Sequence, residues 1–393
     1  MRFALLGDHP DGLDLARALV DSGRHELACY SGPAEGSDGL QRRGLTARSV
    51  GDVEEVLADP AIEAVVVAGR PAVRAAQLRR ALQSERHVLC VYPPDQTPDL
   101  AYEAALIQGD TGRLLLPILT ERFHPAVATL ARLTQTDKGP LGRVLLIEVE
   151  RRLAGLLMAV AAGPASLTVP CWDVLRRLRG EIAEVSAFAS AEEPAPDEPV
   201  LLAGRFERGG LFQATLLPGQ HEVGGRLAVV GTDGQAELTF PEGWLGPAKL
   251  SWPEDGIRRE EAWNAWNPGP ALVEDFEAAL AEHSPPGARS GEGRRLSWQD
   301  AVRSLELDDA ARRSIARRRA STLEYQEATE EVGFKGTMTL VGCALLWAII
   351  VLAILSAPFP KVGWLILPVL VVFLGLQLFR WVIPQVRKRP PTG

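Results

Sequence analysis

Cysteine is scarce and scattered: Cys29, Cys90, Cys171 and Cys343 are the only four in 393 residues. No CxxC pair or other ligand spacing occurs, which excludes a zinc ribbon or a disulfide-stapled fold, and no metal site is expected. The first three lie in apolar surroundings that suit small core fillers. Aromatic residues make up only 6% of the chain, and no basic stripe is interleaved with them. Acidic residues are missing altogether from 336–393, where five of the 42 basic residues fall; that leaves 37 basic against 50 acidic before it, a balance of −13. So acidic a body excludes nucleic acid as a partner. The opening Met1 to Gly12 has one basic residue, a short apolar run and then Asp8-His9-Pro10-Asp11. It lacks the long apolar stretch and small-residue site of a secretory signal, so the main body is expected in the cytoplasm.

What is present is apolar material, 46% of residues, arranged in three textures. Residues 1–120 alternate short β-rich runs with helical patterns. RFALLG (2–7), ELACYS (26–31), AVVVAG (64–69), HVLCVY (87–92) and LLLPIL (114–119) are apolar enough to be buried on both faces of a parallel sheet. Between the first two, Leu13, Ala16, Leu19 and Val20 form a helical stripe that stops at Gly23. A βαβ series with right-handed crossovers predicts an α/β, doubly wound Rossmann domain over 1–120. From Gly142 the pattern changes to strands separated by Gly or Pro turns, interrupted by helices near Val169 to Leu178, Ala271 to Glu282 and Ser297 to Arg319. That mixture predicts an α+β domain over 121–320 with an open, mostly antiparallel sheet.

The third texture follows a linker at 321–336. Thr337 to Ala357 is free of charge, and Val362 to Ile383 carries only Arg380. Each run is long enough to cross a hydrocarbon core of about 30 Å. Arg312, Arg313, Arg317, Arg318, Arg319 and Lys335 precede the pair, Arg387, Lys388 and Arg389 follow it, and only Lys361 lies between. The positive-inside rule then predicts a two-helix membrane hairpin over 337–383 with both termini and the main domains cytoplasmic, and a basic tail over 384–393. Lipid is the expected partner there.

Candidate site residues cluster at strand ends, where ligands of open α/β sheets bind. The first strand leads into Gly7-Asp8-His9-Pro10-Asp11-Gly12 and then a helix. A dinucleotide fingerprint has glycine at the first, third and sixth places of such a turn; here Gly7 and Gly12 hold the outer two and His9 the middle one. A side chain at His9, followed by Pro10 without an N–H, should obstruct a diphosphate, and the motif also reads as a plain strand-to-helix turn. After the second strand no acid is in place to bind a ribose; Ser31 with Arg42 and Arg43 suits a 2′-phosphate, or the arginines are simply solvated. The strand His87 to Tyr92 ends on the rigid corner Pro93-Pro94, which aims Val91 and Tyr92 at the crevice. The tryptophan-rich loop Glu261 to Pro268, with Trp263 and Trp266, suits a sugar face, or its indoles simply anchor the loop to the sheet.

Several phrases, taken in order, resemble the Gfo/Idh/MocA oxidoreductases, which include glucose-fructose oxidoreductase and inositol dehydrogenase. They are VEEVLADPAIEAVVVAG (53–69), ALQSERHVLCVYPPD (81–95), ERFHPAVATLARL (121–133), GPLGRVLLIEVE (139–150), CWDVLRRLRGEIAEVSAF (171–188), RLAVVGTDGQAEL (226–238) and DAVRSLELDDAARRSIARRR (300–319). The resemblance spans residues 1–320. It implies NAD or NADP, contacted by Gly7, His9, Gly12, Ser31, Gly69 and Tyr92, hydride transfer at a sugar or cyclitol carbon, and homo-oligomers paired through the open sheet. The family's Glu-Lys-Pro falls on Val91, Tyr92 and Pro93, so its lysine is missing. Its Asp-x-Gly-x-His-x-x-Asp helix falls on Ser166, Thr168, Pro170 and Asp173, so only the last acid is kept. The histidine expected after the third strand is Arg74, and a glycine before the fourth is Glu85. These departures imply a pseudoenzyme whose cofactor is itself dispensable, binding a nucleotide, a sugar-like small molecule or a partner at the membrane. The alternatives are an active enzyme with a site re-formed from Tyr92, Asp173 and His124, and a scaffold without a ligand.

Overall fold

The structure, a computed structural model, describes residues 1–154, 169–191, 198–219, 224–282, 295–317, 321–322 and position 352. The chain forms two compact units, Met1–Tyr325 and Gln326–Gly393. The linker, membrane hairpin and basic tail expected from the sequence lie outside the described residues, apart from 321–322 and 352. Among the described residues no helix is long and apolar enough to cross a membrane.

The first sheet is built from β1 (Arg2–Leu6), β2 (Glu26–Ser31), β3 (Arg48–Ser49), β4 (Ala64–Val67), β5 (His87–Val91) and β6 (Leu115–Ile118) in the order β3-β2-β1-β4-β5-β6. Every pairing is parallel. The period-2 alternation of a strand splits its side chains between two cores. Phe3, Leu5, Ala64, Val66, Leu89 and Val91 face one side with α1 (Pro10–Asp21) and Phe276. Ala4, Leu6, Val65, Val67, Val88 and Cys90 face the other, against Leu78, Leu82 and Leu100. The latter come from α4 (Pro71–Gln83) and α5 (Asp99–Thr111); α2 (Ala34–Arg42) and α3 (Val53–Ala58) complete this half. Burial on both faces is why these runs carry no polar alternation. The strand order reverses between β1 and β4, which opens a crevice at their carboxyl ends.

Helix α6 (Pro125–Thr134) leads into the second half. Its nine-stranded sheet runs β14-β13-β12-β11-β7-β10-β9-β8-β15, from β7 (Val144–Ala154) and β8 (Ile182–Phe188) through β9 (Val200–Phe206), β10 (Leu211–Gly219), β11 (Gly224–Gly231), β12 (Gln235–Phe240), β13 (Ala248–Glu254) and β14 (Ile257–Trp263) to β15 (Ser321–Thr322). β7 and β10 pair in parallel, and the other pairings are antiparallel. Phe212, Ala214 and Leu216 of β10 point into the core, whereas Leu211 and Gln213 are exposed, so one face stays open. α7 (Trp172–Arg179) and the long α9 (Trp298–Arg317) cover the other face. α9 joins both halves: Trp298, Ala301, Val302 and Leu305 pack on the first sheet, Leu307, Ala311 and Ile315 on the second. α8 (Gly269–Glu282) returns to the first half and lies along α1.

Candidate functional site

The turn after β1 needs its outer glycines for two different reasons. Gly7 has φ +105°, and a Cβ there would lie 2.3 Å from the Ala68 carbonyl oxygen. A Cβ on Gly12 would lie 2.2 Å from that of Ala68 and 3.6 Å from Val91 Cγ2, so its bareness lets α1 settle on the sheet. The middle place works differently. His9 caps α1, its Nδ1 accepting from the Asp11 N–H at 3.3 Å, while the His9 N–H donates to the Ala68 carbonyl at 3.0 Å. Burial outweighs the neighbouring carboxylates and lowers the imidazole pKa, which keeps it a neutral acceptor. Asp11 sits in the first turn, where a carboxylate complements the helix dipole.

Beside that turn is a cavity of about 310 Å³, lined by Gly7, Asp8, Ser31, Gly32, Pro33, Gly51, Val53, Gly69, Arg70, Val73 and Gln77. The structure thus brings Gly7, Ser31 and Gly69 together; His9, Gly12 and Tyr92 are not in this lining. Arg42 and Arg43 are absent from it too. Arg43 pairs with Asp14 at 2.6 Å and Arg42 donates to the Asp38 carbonyl, both on the outside of α2. Arg70, the basic side chain that does line the cavity, stands 3.6 Å from Asp8. Beneath the loop Tyr30 donates to the Pro33 carbonyl at 2.8 Å. Its ring lies so close that a side chain at Gly36 would overlap it.

The corner after β5 is fastened from both sides. Arg74, 1% exposed, donates to the Gly69 carbonyl at 2.9 Å and to the Pro93 carbonyl at 2.5 Å, joining the ends of β4 and β5. The Tyr92 hydroxyl donates to Asp308 Oδ2 of α9 at 3.2 Å. Burial, then the Asp308 charge, raise the Tyr92 pKa well above 10, so no phenolate base forms near neutrality.

His124 begins α6 with Nδ1 accepting from the Ala126 N–H at 3.1 Å, so its proton is on Nε2. That nitrogen is buried with no hydrogen-bond partner among the described residues. The ring is boxed by Phe240, Trp244, Trp263 and Trp266, with centroids 5.3, 6.3, 6.3 and 4.9 Å away. Burial lowers its pKa to about 4. The two tryptophans noticed in the sequence are therefore walls of the histidine's box, with edge contacts replacing a polar partner.

Asp173 belongs to a buried ionic group on α7, α9 and the 121–123 turn. Arg122 reaches Asp173 at 3.4 Å and Asp300 at 2.8 Å, and Arg176 reaches Asp300 at 3.2 Å and Glu181 at 2.8 Å. The cation paired with Asp173 is Arg122, from the 121–123 turn. Neither oxygen of Asp173 accepts a hydrogen bond among the described residues. Burial raises its pKa, against the pull of Arg122. Alongside, Glu121 and Arg151 form a two-bond pair at 2.9 Å, and the Arg151 guanidinium lies 4.9 Å from the centre of the Trp244 ring. Among the described residues no cluster of three His, Cys, Asp or Glu could hold a metal.

The Rossmann half with the 3-2-1-4-5-6 order, followed by an open-faced sheet, is a fold the chain shares with solved structures. The chain is similar, with a TM-score of 0.64, to a putative myo-inositol dehydrogenase from Sinorhizobium meliloti, 19% identical over 82% of this chain and 100% of that one. It is similar at 0.66 to levoglucosan dehydrogenase bound to NADH and levoglucosan, 18% identical over 83% and 100%. At 0.68 it is similar to an Agrobacterium radiobacter oxidoreductase in complex with NAD+, L-tartaric acid and magnesium, 14% identical over 82% and 98%. No family model matches the chain. D-xylose dehydrogenase of Paenarthrobacter nicotinovorans is 29% identical over 99 residues, so the chain spans a quarter (25%) of the length of the curated relative it matches.

Proposed function

We propose that the chain is a membrane-tethered relative of the Gfo/Idh/MocA oxidoreductases that keeps nucleotide binding at its Rossmann crevice and has given up hydride transfer. One observation carries the reading: each acid–base candidate is committed elsewhere. Tyr92 is bonded to Asp308, His124 is boxed by aromatic rings, and Asp173 is buried against Arg122. Positioned acid–base groups contribute about 10² to 10⁴ in rate, so their loss leaves little turnover. The fold likeness supports the dehydrogenase ancestry without fixing the activity.

The full chain, given NAD+ or NADP+ with a panel of polyols, aldoses and cyclitols, is expected to form no reduced nicotinamide above background. Turnover that is abolished by Tyr92→Phe would instead return the chain to the active enzymes, with Tyr92 in a re-formed site. The tether rests on the uncharged runs near the carboxyl end of the sequence. Full-length protein is expected to stay with membranes after alkaline carbonate extraction and a chain ending at residue 325 to be released; equal release of both would remove the tether from the reading.

A further inference from the structure

The cavity and the helix start beside it make opposite demands on a nucleotide. A fingerprint turn binds diphosphate with the free N–H groups and positive end of its helix, close to bare backbone. Here Pro10 offers no N–H, the Asp11 N–H is taken by His9 Nδ1, and the His9 imidazole stands where the second glycine would be. Two carboxylates, Asp8 on the cavity wall and Asp11 in the first turn, add like charge to any phosphate placed there. Of the nearby cations, Arg70 faces Asp8 and Arg74 is turned onto two backbone carbonyls.

The cavity itself offers both apolar and polar groups of the kind a nucleoside uses. Its 310 Å³ lies at the small end of ligand pockets. Val53, Val73 and Pro33 give apolar walls for a base, while Ser31 and Asp8 supply polar groups for a ribose. The Gln77 amide oxygen is shielded from water and accepts no hydrogen bond among the described residues. It lies against Gly69, where a Cβ would be 2.0 Å away. Gln77 lines the cavity and leaving its amide oxygen unpaired is costly, so a ligand that draws this side chain out to meet a donor is favoured.

We infer that this cavity binds a nucleoside carrying no 5′-diphosphate, and that the turn between β1 and α1 selects against the phosphate chain. The inference rests on the nucleotide-binding reading above and narrows its ligand. Calorimetric titration of the full chain with adenosine, ADP and NADH is expected to give saturable adenosine binding, with ADP and NADH at least about tenfold weaker. Val73 is exposed, and Val73→Trp is expected to abolish adenosine binding by filling the cavity without disturbing the core. Asp8→Asn with Asp11→Asn is expected to narrow the gap between ADP and adenosine, with His9 and Pro10 keeping the remainder. NADH or ADP binding as tightly as adenosine would overturn the selection while leaving nucleotide binding intact. Silence from all three at millimolar concentration would sink the nucleotide-binding reading itself, and adenosine binding unaffected by Val73→Trp would remove the cavity from it.

Discussion

Replacing Asp300 by alanine is expected to destabilise the fold by about 3–5 kcal/mol, the cost of leaving buried charge unpaired. Asp300 is 1% exposed and holds two guanidiniums at once, Arg122 at 2.8 Å and Arg176 at 3.2 Å. Its Oδ2 also accepts from the Ser297 N–H at 3.0 Å, fixing the start of α9. Arg176 would keep Glu181, but Arg122 would be left with Asp173, whose oxygens accept no hydrogen bond among the described residues. The denaturation midpoint should fall with the slope unchanged. Asp173→Asn is the control. Burial raises the Asp173 pKa, so folding favours its protonated form, and neutralising it is expected to change stability far less. A loss for Asp300→Ala no larger than for Asp173→Asn would show that the two carboxylates share the charge equally.

The architecture was legible because its signals are local and redundant. Val65, Val66 and Val67, apolar on consecutive positions, admit burial on both faces and little else, and β4 is the result. The β13–β14 hairpin has a local signal too: Asp255-Gly256 is a two-residue hairpin turn, and both residues have positive φ, 53° and 76°. β14 reads IRREEAW and is exposed or partly exposed throughout, an edge strand whose charges hide the period of 2. The site was legible as a place and illegible as a set of contacts. Gly7 and Gly12 declare themselves, since only backbone crowding explains them. Asp300, Arg303, Glu306 and Asp308 do not, because a charged helix normally reads as a solvated face. Here they are buried, each 8% exposed or less. Their partners Arg122 and Tyr92 come from the far side of the sequence.

Asp308→Asn is expected to flatten the pH dependence of stability and to raise stability above neutrality, by roughly 4 kcal/mol as an upper bound. Asp308 accepts from the Val169 N–H at 2.9 Å, Trp172 Nε1 at 2.8 Å and the Tyr92 hydroxyl at 3.2 Å. Those donors favour the carboxylate, yet burial outweighs them and its pKa is pushed up from 3.8 to about 7. A shift of about 3 units at about 1.36 kcal/mol per unit gives that bound. Since the folded value lies above the unfolded one, this contribution is fully present below about pH 4 and declines as the unfolded chain ionises. It is gone once pH has risen through about 7. Asparagine keeps an oxygen for Val169 and Trp172 and turns an N–H toward Tyr92, whose hydroxyl then accepts. Unfolding titrations at pH 5 and pH 8 separate the cases: wild type should lose stability between them while the variant does not. An unchanged slope in the variant would mean that the three donors hold Asp308 ionised throughout. The same experiment reports what Tyr92 does in this chain: its bond to Asp308 ties the corner after β5 to α9.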